Sequence, residues 1–294
     1  MQCLICAGAV RPSVVHGGYT YYDCVSCGTS QLLPQPSAED LARYYHKFHL
    51  AAVAGGVYEE FESRVQADFI AKCKHIRKHI PRERSPQKLL DVGCGKGFFL
   101  REAEAQGFVA EGIDLSSTAV EYAIRELGVR VRQGSIDTLR EPAWERSFDA
   151  VTSWATLEHV PDPLLVLKGI RRVLKPGAYL FLDTGLGHTF WERFLPGHSQ
   201  WYDAPQHLFV FSRRGLLTLL EQAGFIICKT YTNWERDPMR RFMKAFRNYA
   251  LSISIFPTAW VALGRGRFEM AKREAKWPMG QLVSIVATKK ADVE

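Results

Sequence analysis

Two cysteine pairs open the chain, Cys3-Leu4-Ile5-Cys6 and Cys24-Val25-Ser26-Cys27. Together they supply the four soft thiolates that a tetrahedral Zn²⁺ ion takes. Such a site is filled by protein alone, so it would be closed and structural rather than catalytic. Disulfides or reduced structural thiols are the alternatives, and an intracellular setting disfavours disulfides. A second stretch carries different chemistry. Leu89-Leu90-Asp91-Val92 is apolar and runs into Gly93-Cys94-Gly95-Lys96-Gly97. Glycines allow tight bends and close approach of backbone to a ligand. Amides at the start of the following helix favour anionic groups. Asp114 follows Asp91 by 23 positions, in the range of an acid that accepts hydrogen bonds from a ribose. The third set is histidine. His159 lies in Leu157–Pro163, and His188 and His207 lie in 184–211 among Trp191, Phe194, Trp201, Tyr202 and Asp203. Imidazoles can take a proton near neutral pH, and aromatics with a few polar groups suit a concave pocket. A helix cap or a backbone hydrogen bond is the alternative role for His207; for His159 it is a structural polar residue or a cofactor-pocket position.

These groups need elements to position them. Lys88–Val92, Phe108–Ile113, Val129–Arg132, Phe148–Trp154, Tyr179–Asp183, Phe225–Tyr231 and Gln281–Thr288 read as strands. Helical stretches alternate with them: Phe99–Gln106, a segment after Ser116 or Ser117, Pro163–Leu174, and Phe211–Ala223 capped by Ser212. That alternation predicts an α/β three-layer sandwich with a mostly parallel sheet. Ligands in such sheets bind beyond the carboxyl ends of the strands, where Asp91, Gly93, Gly95, Asp114, Ser135 and the Ser153–His159 turn converge. Between the cysteine pairs a short hairpin is expected, with Tyr19–Tyr22 as its returning strand. Residues 1–33 form this module, 34–80 a linker and helical cap, and 81–294 the main domain. Pro34-Gln35-Pro36-Ser37 is the joint. Tyr44, Tyr45, His46 and Tyr58 are candidates to cover the site, with plain core or interface packing as the alternative. Cys73, Cys94 and Cys228 read as buried thiols, Cys94 as a small space-filler.

Composition sets outer bounds. The 294 residues carry a net charge of +7, and they are 47% hydrophobic and 23% charged. That fits an ordinary globular protein with room for one substantial core. No apolar stretch reaches the length of a spanning helix. Met1–Cys6 lacks a basic segment ahead of a long apolar one, so a cytoplasmic location is expected. Basic residues concentrate in 72–88 and 236–276, but net charge alone does not indicate nucleic-acid binding.

Asp91-Val92-Gly93-Cys94-Gly95-Lys96-Gly97, Gly112-Ile113-Asp114, Leu157–Pro163 and Leu174-Lys175-Pro176-Gly177-Ala178 together resemble the class I methyltransferases that use S-adenosylmethionine (SAM). The resemblance covers roughly residues 60–235 and a closing strand near 281–289. It implies a seven-stranded sheet whose last strand is antiparallel. It also implies that Gly93 and Gly95 contact the methionine part of SAM. Asp91 would orient the turn, Asp114 would take the ribose hydroxyls, and Leu115 and Ile136 would flank adenine. The family often has an acid directly after the glycine that ends strand three. Here Ser135 stands there and Asp137 follows two places on. Trp201–Ser212 resembles a segment of small-molecule methyltransferases related to ubiquinone-pathway and sugar-modifying enzymes. The cysteine module resembles a zinc ribbon, which occurs on enzymes for RNA and for small molecules alike. The RNA adenine amino-methyltransferase tetrad Asn/Asp-Pro-Pro-Tyr/Phe is absent; Ser153-Trp154-Ala155-Thr156 stands in its place.

About 45 residues separate the last two strands. Within them, Phe242, Phe246, Tyr249, Ile253 and Phe256 mark one helical face and Arg240, Lys244 and Arg247 another. This 236–276 insertion fits a homodimer contact or pocket cover, an anionic membrane surface, or an RNA-facing patch. The expectation is SAM-dependent methyl transfer to a small-molecule acceptor, on oxygen, with structural zinc. His207, His159 and His188 are the candidate bases. An RNA methyltransferase and a SAM-binding scaffold without turnover are the alternatives.

Overall fold

The structure is a computed structural model that describes residues 1–37, 39–41, 43–44, 57–80, 86–187, 201–232 and 281–289. Its small strands β1 (Val10–His16), β2 (Tyr19–Cys24) and β3 (Ser30–Leu32) form the expected hairpin and a third strand. After helix α1 (Val57–Arg77) comes the main sheet. It contains β4 (Lys88–Val92), β5 (Val109–Asp114), β6 (Val131–Gln133), β7 (Phe148–Trp154), β8 (Leu174–Leu186), β10 (Phe225–Thr232) and β11 (Gln281–Lys289). A two-residue strand, β9 (Phe209–Val210), joins the small sheet instead.

The large sheet has the order β10-β11-β8-β7-β4-β5-β6. All its pairings are parallel except those of β11, which runs antiparallel between β8 and β10. Central strands of such sheets are covered on both faces and so are apolar almost throughout. β4 and β7 fit this: only the first residue of β4 and the last of β7 escape burial. The chain moves outward from β4 to β5 and β6, then crosses back to β7. That reversal opens a crevice beyond the carboxyl ends of β4 and β7, where ligands bind in open sheets.

Two separate clusters of buried side chains flank the sheet. One takes Cys73 and Ile76 from α1, Phe99, Leu100 and Ala103 from α2 (Phe98–Ala105), and Ala123 from α3 (Ser117–Arg125). The other takes Val166, Leu167 and Ile170 from α4 (Pro163–Val173) and Leu216, Leu219 and Leu220 from α5 (Arg213–Gln222). Side chains of Ser116, Asp162 and Ser212 accept from amides in the first turns of α3, α4 and α5, satisfying donors that have no partner inside the helix.

Three local readings change. β8 begins at Leu174, ahead of the expected Tyr179, because Leu174 pairs with Phe148 before a register shift. Lys175-Pro176-Gly177 is therefore strand, and Lys175 Nζ lies 2.9 Å from both oxygens of Asp149. Cys228 is exposed, not buried: β10 shifts register between Ile227 and Lys229, which turns it out. Phe209–Val210 is strand although no periodicity can mark two residues. Tyr45, His46, His188, Trp191, Phe194 and the 236–276 insertion lie outside the described residues, as does the side chain of Tyr58. Among the described residues no helix is long and apolar enough to cross a membrane.

Candidate active site

The glycine turn after β4 is held by the acid at the end of β5. Asp114 Oδ2 accepts from the Gly95 amide and Oδ1 from the Ser116 amide, both at 2.8 Å. One carboxylate thus ties the turn to the start of α3. Each of its oxygens keeps a second acceptor site, so a vicinal diol can still be received. Gly93 has φ 75°, and a Cβ there would stand 2.3 Å from Thr156. Gly95 has φ 52° with nothing within 4 Å of its would-be Cβ, so its backbone faces open space. These features fit the nucleoside and amino-acid parts of SAM.

The carboxylate that bonds directly to the turn is that of Asp114. The buried Asp91 carboxylate instead accepts from Thr152 Oγ1 at 2.6 Å, linking β4 to β7. Burial pushes its pKa from 3.8 up to about 7, against the opposing effects of the Thr152 hydrogen bond and the Lys72 charge. Leu115 is 66% exposed beside Asp114. Ile136 is 1% exposed and packed in the core, which leaves its side chain little face for adenine. The Ser135 hydroxyl donates to Asp137, so these two residues form one polar unit where the family has a single acid.

His159 ends the short turn Leu157–His159 after β7, and His207 precedes β9. Their ring centroids lie 4.7 Å apart. His159 Nδ1 donates to the Gln206 carbonyl at 2.8 Å and His207 Nδ1 to the Trp201 carbonyl at 2.9 Å. A carbonyl partner requires N–H on Nδ1, so Nε2 is the basic nitrogen of each neutral ring. Glu158 is buried beside them. Its Oε2 accepts from Thr184 Oγ1 at 2.8 Å, whereas Oε1 has no partner among the described residues. Burial pushes its pKa up. Trp201 packs against Gly185, where any Cβ would meet the indole at 2.1 Å. The Tyr44 hydroxyl donates to Gln206 Oε1 at 3.2 Å.

Lys72 is a residue that helical periodicity alone does not reveal. Its Nζ lies 3.0 Å from Asp183 Oδ2, 3.3 Å from Asp68 Oδ2 and 4.0 Å from the centre of the Trp154 ring. It brings positive charge from α1 to the buried acids at the carboxyl ends of β4 and β8. Burial of a carboxylate without such a partner is costly.

Among the described residues, two clusters have donor sets suited to a cation, and each gathers its ligand atoms within 4.8 Å. One is Glu158, His159 and His207. The other is Cys3, Cys6, Cys24 and Cys27, which all lie where the two pairs predicted. Cys3 Sγ and Cys27 Sγ are 3.7 Å apart, and Cys6 Sγ and Cys24 Sγ 3.4 Å. The Ile5 and Cys27 amides each donate at 3.4 Å to the first sulfur of their pair. The proton shared by Cys3 and Cys27 lowers the Cys27 pKa to about 4 and raises that of Cys3.

Fold and site together define an α/β protein with a glycine turn clamped by an acid at the carboxyl ends of its parallel strands and a pair of histidines beside a buried glutamate. Residues 58–229 match the family described as "Methyltransferase domain", and the chain belongs to it. A ubiquinone biosynthesis O-methyltransferase of Haemophilus ducreyi is 40% identical over 107 residues, 33% of this chain and 45% of that protein. Its counterpart in Cupriavidus pinatubonensis is 30% identical over 188 residues, 56% of this chain and 74% of that one. The chain spans less than half the length of the first of these curated relatives. A phosphoethanolamine N-methyltransferase 2 of Haemonchus contortus, solved with S-adenosyl-L-methionine, shares the fold with TM-score 0.53 at 20% identity. The likeness covers 75% of this chain and 53% of that one.

Proposed function

We propose that this protein transfers a methyl group from SAM to an oxygen of a small-molecule acceptor. The observation that carries the reading is one crevice edge with two halves: the glycine turn clamped by Asp114, and the His159–His207 pair. The likeness to ubiquinone biosynthesis O-methyltransferases supports a hydroxylated, quinone-like or related metabolite as acceptor. Asp114 holds the ribose, and the Gly93–Gly95 backbone lies along the amino-acid part. When bound, SAM supplies an electrophilic methyl group on a sulfonium. An oxygen acceptor needs its proton removed and its oxygen aligned with the methyl–sulfur bond. His207 takes that proton on Nε2, held in the right tautomer by the Trp201 carbonyl. His159 stands beside it as an aligning or alternative base.

The four cysteines hold one structural Zn²⁺. Sulfurs about 2.3 Å from a tetrahedral ion stand about 3.8 Å from one another, close to the spacings of the two cross-pairs.

The test is incubation with SAM carrying a deuterated methyl group and a panel of catechols, hydroxylated sugars and RNA, read by mass spectrometry. A labelled O-methyl product from a small molecule is expected. Label found only in RNA would move the assignment to nucleic acid. SAM binding without label transfer to any panel member would point to a scaffold.

A further inference from the structure

The amino-terminal module carries more than its cysteines. Its last strand, β3, pairs antiparallel with β9, Ser30 opposite Val210 and Gln31 opposite Phe209. The Leu32 amide donates to the Leu208 carbonyl at 2.9 Å. Four strands, three from the module and one from the methyltransferase domain, thus form a single sheet. The second cysteine turn is fastened as well. Ser212 Oγ, the cap of α5, donates to the Cys27 carbonyl, and the Ser212 amide donates to Thr29 Oγ1 at 3.2 Å.

His207 lies immediately before this junction, and its main chain is held from three directions. Its own amide donates to the Asp203 carbonyl at 3.0 Å, and the next amide, Leu208, to the Glu158 carbonyl at 2.8 Å. The third hold comes from the module. Tyr21 of β2 is fully buried, and its hydroxyl donates to the His207 carbonyl at 2.6 Å. The Tyr21 ring meets Tyr202 edge-on at 5.1 Å, and the Tyr202 hydroxyl pairs with Ser30 Oγ at 3.1 Å. Tyr21 therefore touches the segment that also supplies the Trp201 carbonyl, the anchor of the imidazole.

We propose that Tyr21 is a positioning residue for His207, so that the cysteine module forms a wall of the acceptor half of the site. This rests on the reading in which His207 takes the acceptor proton. The physical basis is the sensitivity of proton transfer to placement: a shift of about 1 Å in a reacting group can cost on the order of 10²-fold in rate. A buried phenol donating to the carbonyl of the base itself fixes the Cα from which the imidazole hangs. The ring packing of Tyr21 stabilises the junction, whereas its hydroxyl sets the position of one residue. The two contributions can be separated, because Tyr21→Phe keeps the ring and removes only the donor.

The experiment uses the full chain with ¹⁵N-labelled histidine. Imidazole ¹⁵N–¹H correlation spectra are recorded for the wild type, Tyr21→Phe and the control Tyr22→Phe, a partly exposed tyrosine one position along the same strand. His207→Ala and His159→Ala assign the signals. SAM affinity is measured for each protein by calorimetry. The expected result is a displaced or split His207 signal in Tyr21→Phe alone, with SAM affinity within about twofold of the wild type. An unchanged His207 signal in Tyr21→Phe overturns the proposal. So does an equal change in Tyr22→Phe, or loss of SAM affinity in step with the shift, because either shows general loosening. Wild-type protein that fails to bind SAM would instead overturn the methyltransferase reading, while the His207 signal still reports on Tyr21.

Discussion

His159 and His207 come from distant segments of the chain, yet their rings stand 4.7 Å apart and each is anchored through Nδ1 to a carbonyl of the 201–206 segment. His207 is the more enclosed of the pair, and its orientation is fixed from more sides. His207→Ala should lower turnover of a responsive acceptor by roughly 10²- to 10⁴-fold, the usual contribution of a positioned base. SAM affinity should stay within about twofold, since the cofactor half is built from β4, β5 and their loops. Steady-state kinetics with parallel calorimetry checks both. A variant that keeps full turnover removes His207 as the base.

Asp114 does two jobs with one carboxylate, clamping the Gly95 and Ser116 amides and facing the cofactor crevice. Asp114→Ala should weaken SAM binding by at least about tenfold, because it removes the ribose acceptor and leaves two amides without their charged partner. Asp114→Asn should lose less, since one side-chain oxygen can still accept. Calorimetric titration of both variants orders them. Equal, unimpaired affinities would sink the ribose assignment.

The parts of this site that the sequence displays are those with local grammar. The cysteine pairs, the glycine turn and an acid at the right distance each declare themselves within a few residues. What stays hidden depends on contacts between distant segments. Lys72 sits on a helix whose pattern reports only its apolar face, and its partner Asp183 enters from β8. β9 is too short to have a period, and it becomes a strand because β3 is beside it. Asp91 and Asp114 are equally acidic in sequence; only the fold shows that one is buried against Thr152 while the other holds the turn. Cys228 follows apolar neighbours, but a register shift in β10 turns it outward.

Asp91 makes a prediction about pH. Burial raises its folded-state pKa to about 7 from the ordinary 3.8. The folded protein therefore holds a proton between those values that the unfolded chain has released. By linkage, this group's contribution to stability is fully present below about pH 3.8 and is lost as pH rises toward about 7. The loss is on the order of a few kcal/mol. Asp91→Asn cannot ionise and should lack this component. Urea unfolding of both proteins at pH 5 and pH 7.5 measures it, with the wild type losing more stability than the variant across the interval. Parallel losses would mean that Asp91 ionises in the folded state as easily as in water.

The cysteine module supplies the last prediction, on metal removal. Four sulfurs within 4.8 Å cannot all ionise without a cation among them. Purified protein should contain one zinc per chain, and Cys24→Ser should lose it. The consequence should be uneven across the molecule. Cys3, Ile5, Tyr21 and Leu32 belong to the same buried cluster as Leu208 and Phe209, so loosening the module reaches the His207 segment directly. The glycine turn and α2 pack in the other cluster, on the opposite face of the sheet. Metal-free protein should therefore bind SAM within about twofold of the zinc form while its acceptor turnover drops about tenfold or more, in line with the cost of a displaced base. Hydrogen exchange should rise at the Leu32 amide, whose bond to the Leu208 carbonyl joins the two parts, and stay unchanged at Gly93 and Gly95. If exchange rises equally at the glycine turn, the zinc supports the whole fold and its link to the acceptor half is lost.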